Sequence, residues 1–335
     1  MPSSGYGQFL KGQIRTPPMP EVDLTGRTIL VTGANSGLGL DAAKLLIRLN
    51  CSTIVLACRS IAKAEATQDV LRTVSSRNGK TPTLISFELE MTSFSSVASF
   101  ANRCKELPRL DAAILNAGID VLEFRLAEGY ESTITVNVIS TFLLATLLVP
   151  TLRTSAKKYN ITPNLTITGS AVHFWTEPKL LTTPKTGQIF HSISNQQTAD
   201  MKGRYFFSKL PVMLLVKYLA SVLEKSAVQG HDNKPPVTLN NVAPGLCVTN
   251  LLRDFSMAEK MVVRMIGRSS EHGARTLVHG ATAGPETHGQ YLSECEIKDA
   301  SPFVRSTEGD QTAERLWLEL VDIYEKVSPG CTKEW

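Results

Sequence analysis

From Thr28 onward the chain alternates between two kinds of stretch. Short runs of β-branched and apolar residues occur at 28–32, 53–57, 83–88, 112–115, 164–168, 237–242 and 290–292, with the length and composition of strands. Longer stretches at 38–49, 60–77, 94–106, 131–154 and 203–224 carry apolar residues at helical spacing. Strands separated by helices cannot close as hairpins. They pair in parallel, and the crossover helices cover both faces of the sheet. Two stretches interrupt the rhythm. One, 174–202, is polar and contains Pro178 and Pro184; the other, 251–271, is rich in Met and Arg. Such long connections are lids or binding loops, or else surface decoration.

The first strand run opens into Thr32-Gly33-Ala34-Asn35-Ser36-Gly37-Leu38-Gly39, and a helical stretch follows at once. Glycines let the backbone turn sharply and approach a pyrophosphate closely. The free N–H groups and dipole of the helix start then face the anion. Gly33, Asn35, Ser36, Gly37, Leu38 and Gly39 are the candidate dinucleotide cradle. The expected fold is therefore a single Rossmann-type doubly wound α/β domain with a seven-stranded parallel sheet flanked by helices. It spans 26–335, after an N-terminal arm over 1–25 that is punctuated by Pro and Gly. The second strand run ends at Ala57-Cys58-Arg59. An acid at this strand end would bind the ribose 2′-hydroxyl of NAD, whereas the Arg59 guanidinium suits a 2′-phosphate, which points to NADP(H).

Composition narrows the partners. The 335 residues are 42% hydrophobic and 20% charged, with a net charge of +4 and no Lys/Arg run, so nucleic acid is not an expected partner. The six cysteines form no C-x-x-C pair and no metal spacing, and read as small core residues in a reducing compartment. The N-terminus has no apolar signal core. The longest strongly apolar run, 142–149, is far shorter than the roughly 20 residues of a membrane span, so no transmembrane segment is expected and the location reads as cytoplasmic. Two glycosylation-type triplets, at Asn160 and Asn164, read as chance.

Further along come Asn116-Ala117-Gly118 after a strand, Val136-Asn137-Val138 in the long helix, and Ile167-Thr168-Gly169-Ser170. Tyr205 and Lys209 lie four apart, and Pro244-Gly245 is followed by Val248 and Thr249. In this order, with the glycine loop, these motifs resemble the short-chain dehydrogenase/reductase family over nearly the whole chain. Ala57-Cys58-Arg59, His173 and Leu316-Trp317 are similar to its retinol-dehydrogenase-like members and their fungal secondary-metabolism relatives. The resemblance implies that Ser170 binds the substrate carbonyl and that Lys209 also bonds the nicotinamide ribose. It further implies that Asn137 anchors a water, and that Glu90, Asn116, Ala117, Gly118, Pro244, Gly245, Val248 and Thr249 line the cofactor. The family usually has Asp where this chain has Glu90.

A phenol with pKa near 10 is a poor acid–base group unless its surroundings tune it. Lys209 falls on the same helix face as Tyr205, and its cation would favour the phenolate. The expected catalytic set is Ser170, Tyr205, Lys209 and Asn137. The expected activity is NADP(H)-dependent reduction of a ketone or aldehyde, or the reverse alcohol oxidation, on an apolar small molecule of secondary metabolism. The alternative is a redox-silent isomerase or cyclase on the same scaffold. Three details complicate the site. The segment between Ser170 and Tyr205 is long and should shape the pocket. Pro211 falls just after Lys209 and should disfavour a regular turn. His173 reads as structural rather than as a further acid–base group, and His191 has no evident partner. The apolar 212–216 stretch is buried either in a homodimer interface or inside the monomer.

Overall fold

Each of the seven strand runs forms a strand, within one residue of its expected ends. The structure, a computed structural model, describes residues 3–228, 235–249 and 256–335. The strands are β1 (Thr28–Thr32), β2 (Thr53–Cys58), β3 (Thr83–Glu88), β4 (Ala112–Leu115), a short hairpin of β5 (Leu126–Ala127) and β6 (Tyr130–Glu131), then β7 (Asn164–Thr168), β8 (Thr238–Ala243), β9 (Tyr291–Ser293) and β10 (Glu296–Lys298). The α-helices are α1 (Ser3–Ile14), α2 (Gly37–Arg48), α3 (Ile61–Arg72), α4 (Phe94–Lys105), α5 (Ser132–Ile134), α6 (Thr141–Tyr159), α7 (Lys179–Thr182), α8 (Ile189–Ile193), α9 (Arg204–Val228), α10 (Met257–Ile266), α11 (Ser270–Thr282) and α12 (Thr307–Val327).

The main sheet runs β3-β2-β1-β4-β7-β8-β9-β10. It has eight strands, not seven. The ladders from β3 to β9 are parallel, and β10 adds to β9 antiparallel. The eighth strand was hidden because its two-residue turn is Glu294-Cys295, both at positive φ. Sequence reading looks for Asn-Gly or Gly at such a turn, and neither residue is present. The chain winds outward through β1, β2 and β3, then returns to place β4 on the other side of β1. That reversal opens the crevice in which ligands of doubly wound sheets bind.

Strand alternation divides the core. Ile29 and Val31 of β1 face α2 and α11, packing with Leu45, Leu46 and Leu277. Leu30, between them, faces the opposite layer with Phe100, Phe142 and Leu214. Two helical stretches, Ser132–Tyr159 and Arg204–Lys225, are long and apolar enough to cross a membrane, yet 100% and 72% of their apolar windows are buried within this domain. They are the core helices of its second layer. Helix α9 is covered within the chain: α12 packs along it, and Lys217 Nζ donates to the Val304 carbonyl and to Asp310 Oδ1 at 3.1 and 2.7 Å. The apolar 212–216 stretch therefore finds its burial inside one subunit. Asn164 is buried and bonded to the Gly280 and Ala283 carbonyls, as a core residue and not a glycan acceptor.

The N-terminal stretch departs from the expected arm. Residues 3–14 are helical and lie on the domain near the carboxyl ends of β7, β8 and β9.

Candidate active site

The glycine loop is built on close backbone approach. Gly33 and Gly37 adopt φ +67° and +51°. A Cβ on Gly39 would lie 2.3 Å from the Gly33 carbonyl oxygen, so no side chain fits there. Asn116 and Ala117 both donate backbone N–H bonds to Thr32 Oγ1 at 2.9 Å, and Asn116 Nδ2 donates to the Thr32 carbonyl at 3.1 Å. The motif after β4 thus clamps the root of the loop. Thr249 lies over the loop from the far end of the chain, at 3.4 Å from where a Gly37 Cβ would be. Ser36 caps α2 in extended conformation with no side-chain bond of its own to the helix. Asn35, Ser36 and Leu38 sit in this same turn, and Gly118 approaches the Asn137 side chain. The result is a cradle of backbone N–H groups with no Cβ in the way, which fits a nucleotide pyrophosphate.

Arg59 is exposed at the end of β2. Glu90 follows β3, where its carboxylate accepts from the Thr92 N–H at 2.9 Å. Pro244 is buried, and Gly245 has φ +79°. Val248 is 40% exposed beyond them.

The side chains expected to be catalytic meet at the end of β7. Tyr205 and Ser170 hydrogen-bond through their hydroxyls. Lys209 is buried, its Nζ 5.3 Å from the Tyr205 ring centre and donating to the Thr168 carbonyl at 2.9 Å. Asn137 sits in a π-helical segment, Thr135–Ser140. There its Oδ1 accepts from the Ile119 N–H, while Nδ2 donates to the Ile119 carbonyl and to Ser208 Oγ at 2.9 and 3.0 Å. Such wide turns recur at functional sites. Helix α9 continues through Pro211 as one element, and Lys209 keeps its place on the Tyr205 face.

Burial controls the charges here. It lowers Lys209 to about 8, opposed by Asp120. It pushes the Tyr205 phenol up, helped by Asp120 and then Cys247, while the Ser170 bond pulls the other way. The lowering expected from Lys209 is not among the influences on Tyr205; the hydration that a phenolate loses on burial prevails. Asp120 is the residue that sequence reading missed. It is buried two positions beyond Gly118 and biases both groups, and the signal was an acid following an apolar strand and turn.

His173 is structural. Its Nδ1–H donates to the Ser170 carbonyl at 2.7 Å and its Nε2 accepts from the Ser301 N–H at 3.1 Å. Burial lowers it to about 4, so the ring is neutral at pH 7. His191 lies against the Tyr130 ring, 5.0 Å between centres. The long segment before Tyr205 divides in two. Its start bears Phe174 and Trp175 near the site. Its remainder is core: Leu181, Ile189 and Phe190 are buried, and Glu319 of α12 accepts from the Ile189 and Phe190 N–H groups. Of the 251–271 stretch, residues 251–255 lie outside the described residues. Helix α10 follows and exposes Met257, Met261 and Met265. All six cysteines are free, and no group of metal-binding side chains occurs among the described residues.

The family model for short chain dehydrogenase matches residues 27–162. A short chain dehydrogenase/reductase of Cryptosporiopsis sp. is 40% identical over 98% of this chain and 99% of its own. A short-chain dehydrogenase of Penicillium roqueforti is 39% identical over 96% of this chain and 84% of its own. Among solved structures, a short chain dehydrogenase from Shigella flexneri complexed with NADP superposes with TM-score 0.55, at 20% identity over 82% of this chain and 100% of that one. Salutaridine reductase from Papaver somniferum superposes with TM-score 0.56, at 18% identity over 79% and 99%.

Proposed function

Because the chain belongs to the short-chain dehydrogenase/reductase family, whose oxidoreductases use NAD(P), we propose that it is an NADP(H)-dependent carbonyl reductase, or the reverse alcohol dehydrogenase. Its substrate in this reading is an apolar small molecule of secondary metabolism, and its location is cytoplasmic. The observation that carries the proposal is the convergence of half-buried Tyr205 and Ser170 with buried Lys209 at the carboxyl end of β7.

The glycine cradle and the clamp from Asn116 and Ala117 hold the dinucleotide, and Arg59 meets the 2′-phosphate. When bound, the nicotinamide supplies or accepts the hydride. Ser170 Oγ orients the substrate oxygen. Tyr205 stays protonated in its half-buried site, ready to give its hydroxyl proton to that oxygen during reduction. Lys209, lowered to about 8, returns a proton toward Tyr205, and Asn137 holds the relay to solvent. The test is consumption of NADPH against NADH with a panel of carbonyl compounds, followed by reduced-nicotinamide absorbance. Tyr205→Phe should cut turnover by about 10²- to 10⁴-fold with the cofactor still bound. Substrate conversion without any absorbance change would instead indicate the isomerase or cyclase reading.

A further inference from the structure

We propose that helix α1 is a clasp on the cofactor site, with Gln13 as a positioning residue that holds the 246–249 stretch over the nucleotide cradle and so slows release of NADP(H). The proposal rests on the cofactor reading above. The stretch leaves β8 through Pro244 and Gly245, and at its end Thr249 lies over the Gly37 turn. Its own support is thin. It pairs with the returning chain through two backbone bonds, Arg268 N–H to the Leu246 carbonyl at 2.9 Å and Val248 N–H to the Arg268 carbonyl at 3.1 Å. Val248 is 40% exposed, so apolar burial adds little at that position. A two-stranded pairing of this size is marginal by itself.

Helix α1 brings its C-terminal turn onto both arms of this pairing. Gln13 Oε1 accepts from the Leu246 N–H at 3.0 Å, and Nε2 donates to the Leu246 and Ile266 carbonyls at 2.8 and 3.0 Å. One carboxamide thus bridges the outgoing and the returning chain. The Gly12 carbonyl, at the negative end of the helix, accepts a charge-assisted bond from Arg268 Nη2 at 2.7 Å. Arg268 Nη1 reaches the Pro244 carbonyl at 3.4 Å, so the guanidinium joins α1 to the corner where the stretch begins. A Cβ on Gly12 would strike the Glu294 carboxylate, and one on Gly245 would lie 2.9 Å from Gln13 Oε1. Approach this close needs glycine on both sides. Farther up the helix, Tyr6 stacks on Trp175 at 4.5 Å. Just beyond it, the Pro17 carbonyl accepts from Arg275 Nη1 at 2.8 Å, so α1 is held at both ends.

A segment opens locally at a free energy set by its own contacts rather than by the whole fold. Here Gln13 supplies three bonds where the pairing supplies two of its own. In many enzymes that enclose a ligand, loop opening sets the rate of release. Detaching α1 therefore loosens Thr249 over the cradle, while the cradle itself, built from β1, the glycine loop and α2, stays formed. Departure of the nucleotide is affected more than its arrival, because the surface that first meets the pyrophosphate is untouched.

The test mixes full-length protein loaded with NADPH with excess NADP⁺ and follows release by reduced-nicotinamide fluorescence. Gln13→Ala should speed release about tenfold or more and change the association rate by less than about threefold. Lys11→Ala, on the exposed side of the same helix, should stay within about twofold of wild type. Removing residues 1–15 should speed release at least as much as Gln13→Ala. Unchanged release in Gln13→Ala, or equal acceleration by Lys11→Ala, would overturn the proposal. Hydrogen exchange on the protein without cofactor gives a second readout. In Gln13→Ala the Leu246 amide loses its acceptor directly, so the informative amides are Val248 and Arg268, whose acceptors are the Arg268 and Leu246 carbonyls. Both should exchange faster while the β1 and β4 amides stay protected. Unchanged exchange at Val248 and Arg268 rejects the clasp. Faster exchange in β1 and β4 as well shows a loosened fold and rejects it too. If wild type binds neither NADPH nor NADH, the cofactor reading itself fails and the proposed role of α1 falls with it.

Discussion

The proposed cofactor half and the proposed substrate half of this molecule are assembled in opposite ways. In the first, β1, the glycine loop, α2 and the strand end at β4 form one local unit, and contacts such as Thr32 to Asn116 tie neighbouring strands. In the second, Phe9, Ala171, Gly245 and the Tyr291–Glu294 turn come from four separate stretches of chain. The local unit rests on backbone geometry that few residues can supply, whereas the dispersed one rests on side chains that many sequences could vary. Binding of a common cofactor suits the first construction, and selection of a particular substrate suits the second.

The largest expected effect falls at the junction of the two halves. Arg204, just before Tyr205, is buried against Glu131 at 3.5 Å, and Glu131 also accepts the Thr133 and Ile134 N–H groups at the start of α5. Glu131→Ala leaves the guanidinium without its counter-charge. It should cost about 3–5 kcal/mol of stability, read by denaturant unfolding. A loss below about 1 kcal/mol would show that the halves are not braced there.

In the cofactor half, Gly39→Ala forces a methyl group onto the Gly33 carbonyl. About 1–3 kcal/mol of overpacking should appear as weaker cofactor binding. Unchanged cofactor binding would blur the division between the halves. Arg59→Ala should weaken NADPH by about tenfold or more and leave NADH unchanged, since only the former offers a phosphate for a charge-assisted bond. Equal loss for both cofactors would sink the 2′-phosphate role.

The most gradual effect, and the smallest near pH 7, is a pH slope in the proposed substrate half. His173 is held near 4 when folded and returns toward 6.5 when unfolded. The unfolded chain therefore takes up the proton first as pH falls. The His173 contribution should make stability drop between about pH 6.5 and 4, at up to roughly 1.4 kcal/mol per pH unit, and should add no slope above that window. His173→Gln should remove this part of the slope, measured as Tm against pH beside wild type.

What could be read from the sequence follows the same division. The strand–helix alternation, the glycine loop and the Tyr205–Lys209 pair are signals of short range, and the strand runs match to within a residue. The eighth strand was invisible because its turn uses Glu294 and Cys295 in left-handed conformation, a choice that propensity argues against. The docking of α1 was invisible because its partners, Trp175, Leu246 and Arg268, lie far along the chain. Asp120 was overlooked because an acid beside a turn ordinarily faces water, and here the fold turns it inward. The upward push on Tyr205 depends on how far the fold covers the phenol, which no spacing reveals.

The π-helical segment around Asn137 has one more consequence. A π turn holds one more residue per hydrogen-bonded loop than an α turn, so it acts as a phase shift between the short helix before it and the long helix after it. Deleting a single residue within Thr135–Ser140 would let the helix regularise. It would also rotate everything upstream by about 100° relative to α6. The carboxamide would then swing away from Ile119 and Ser208 while the core helix itself stayed whole. The position of that one amide is thus encoded in a residue count, and a change of length there would be felt more sharply than most changes of identity.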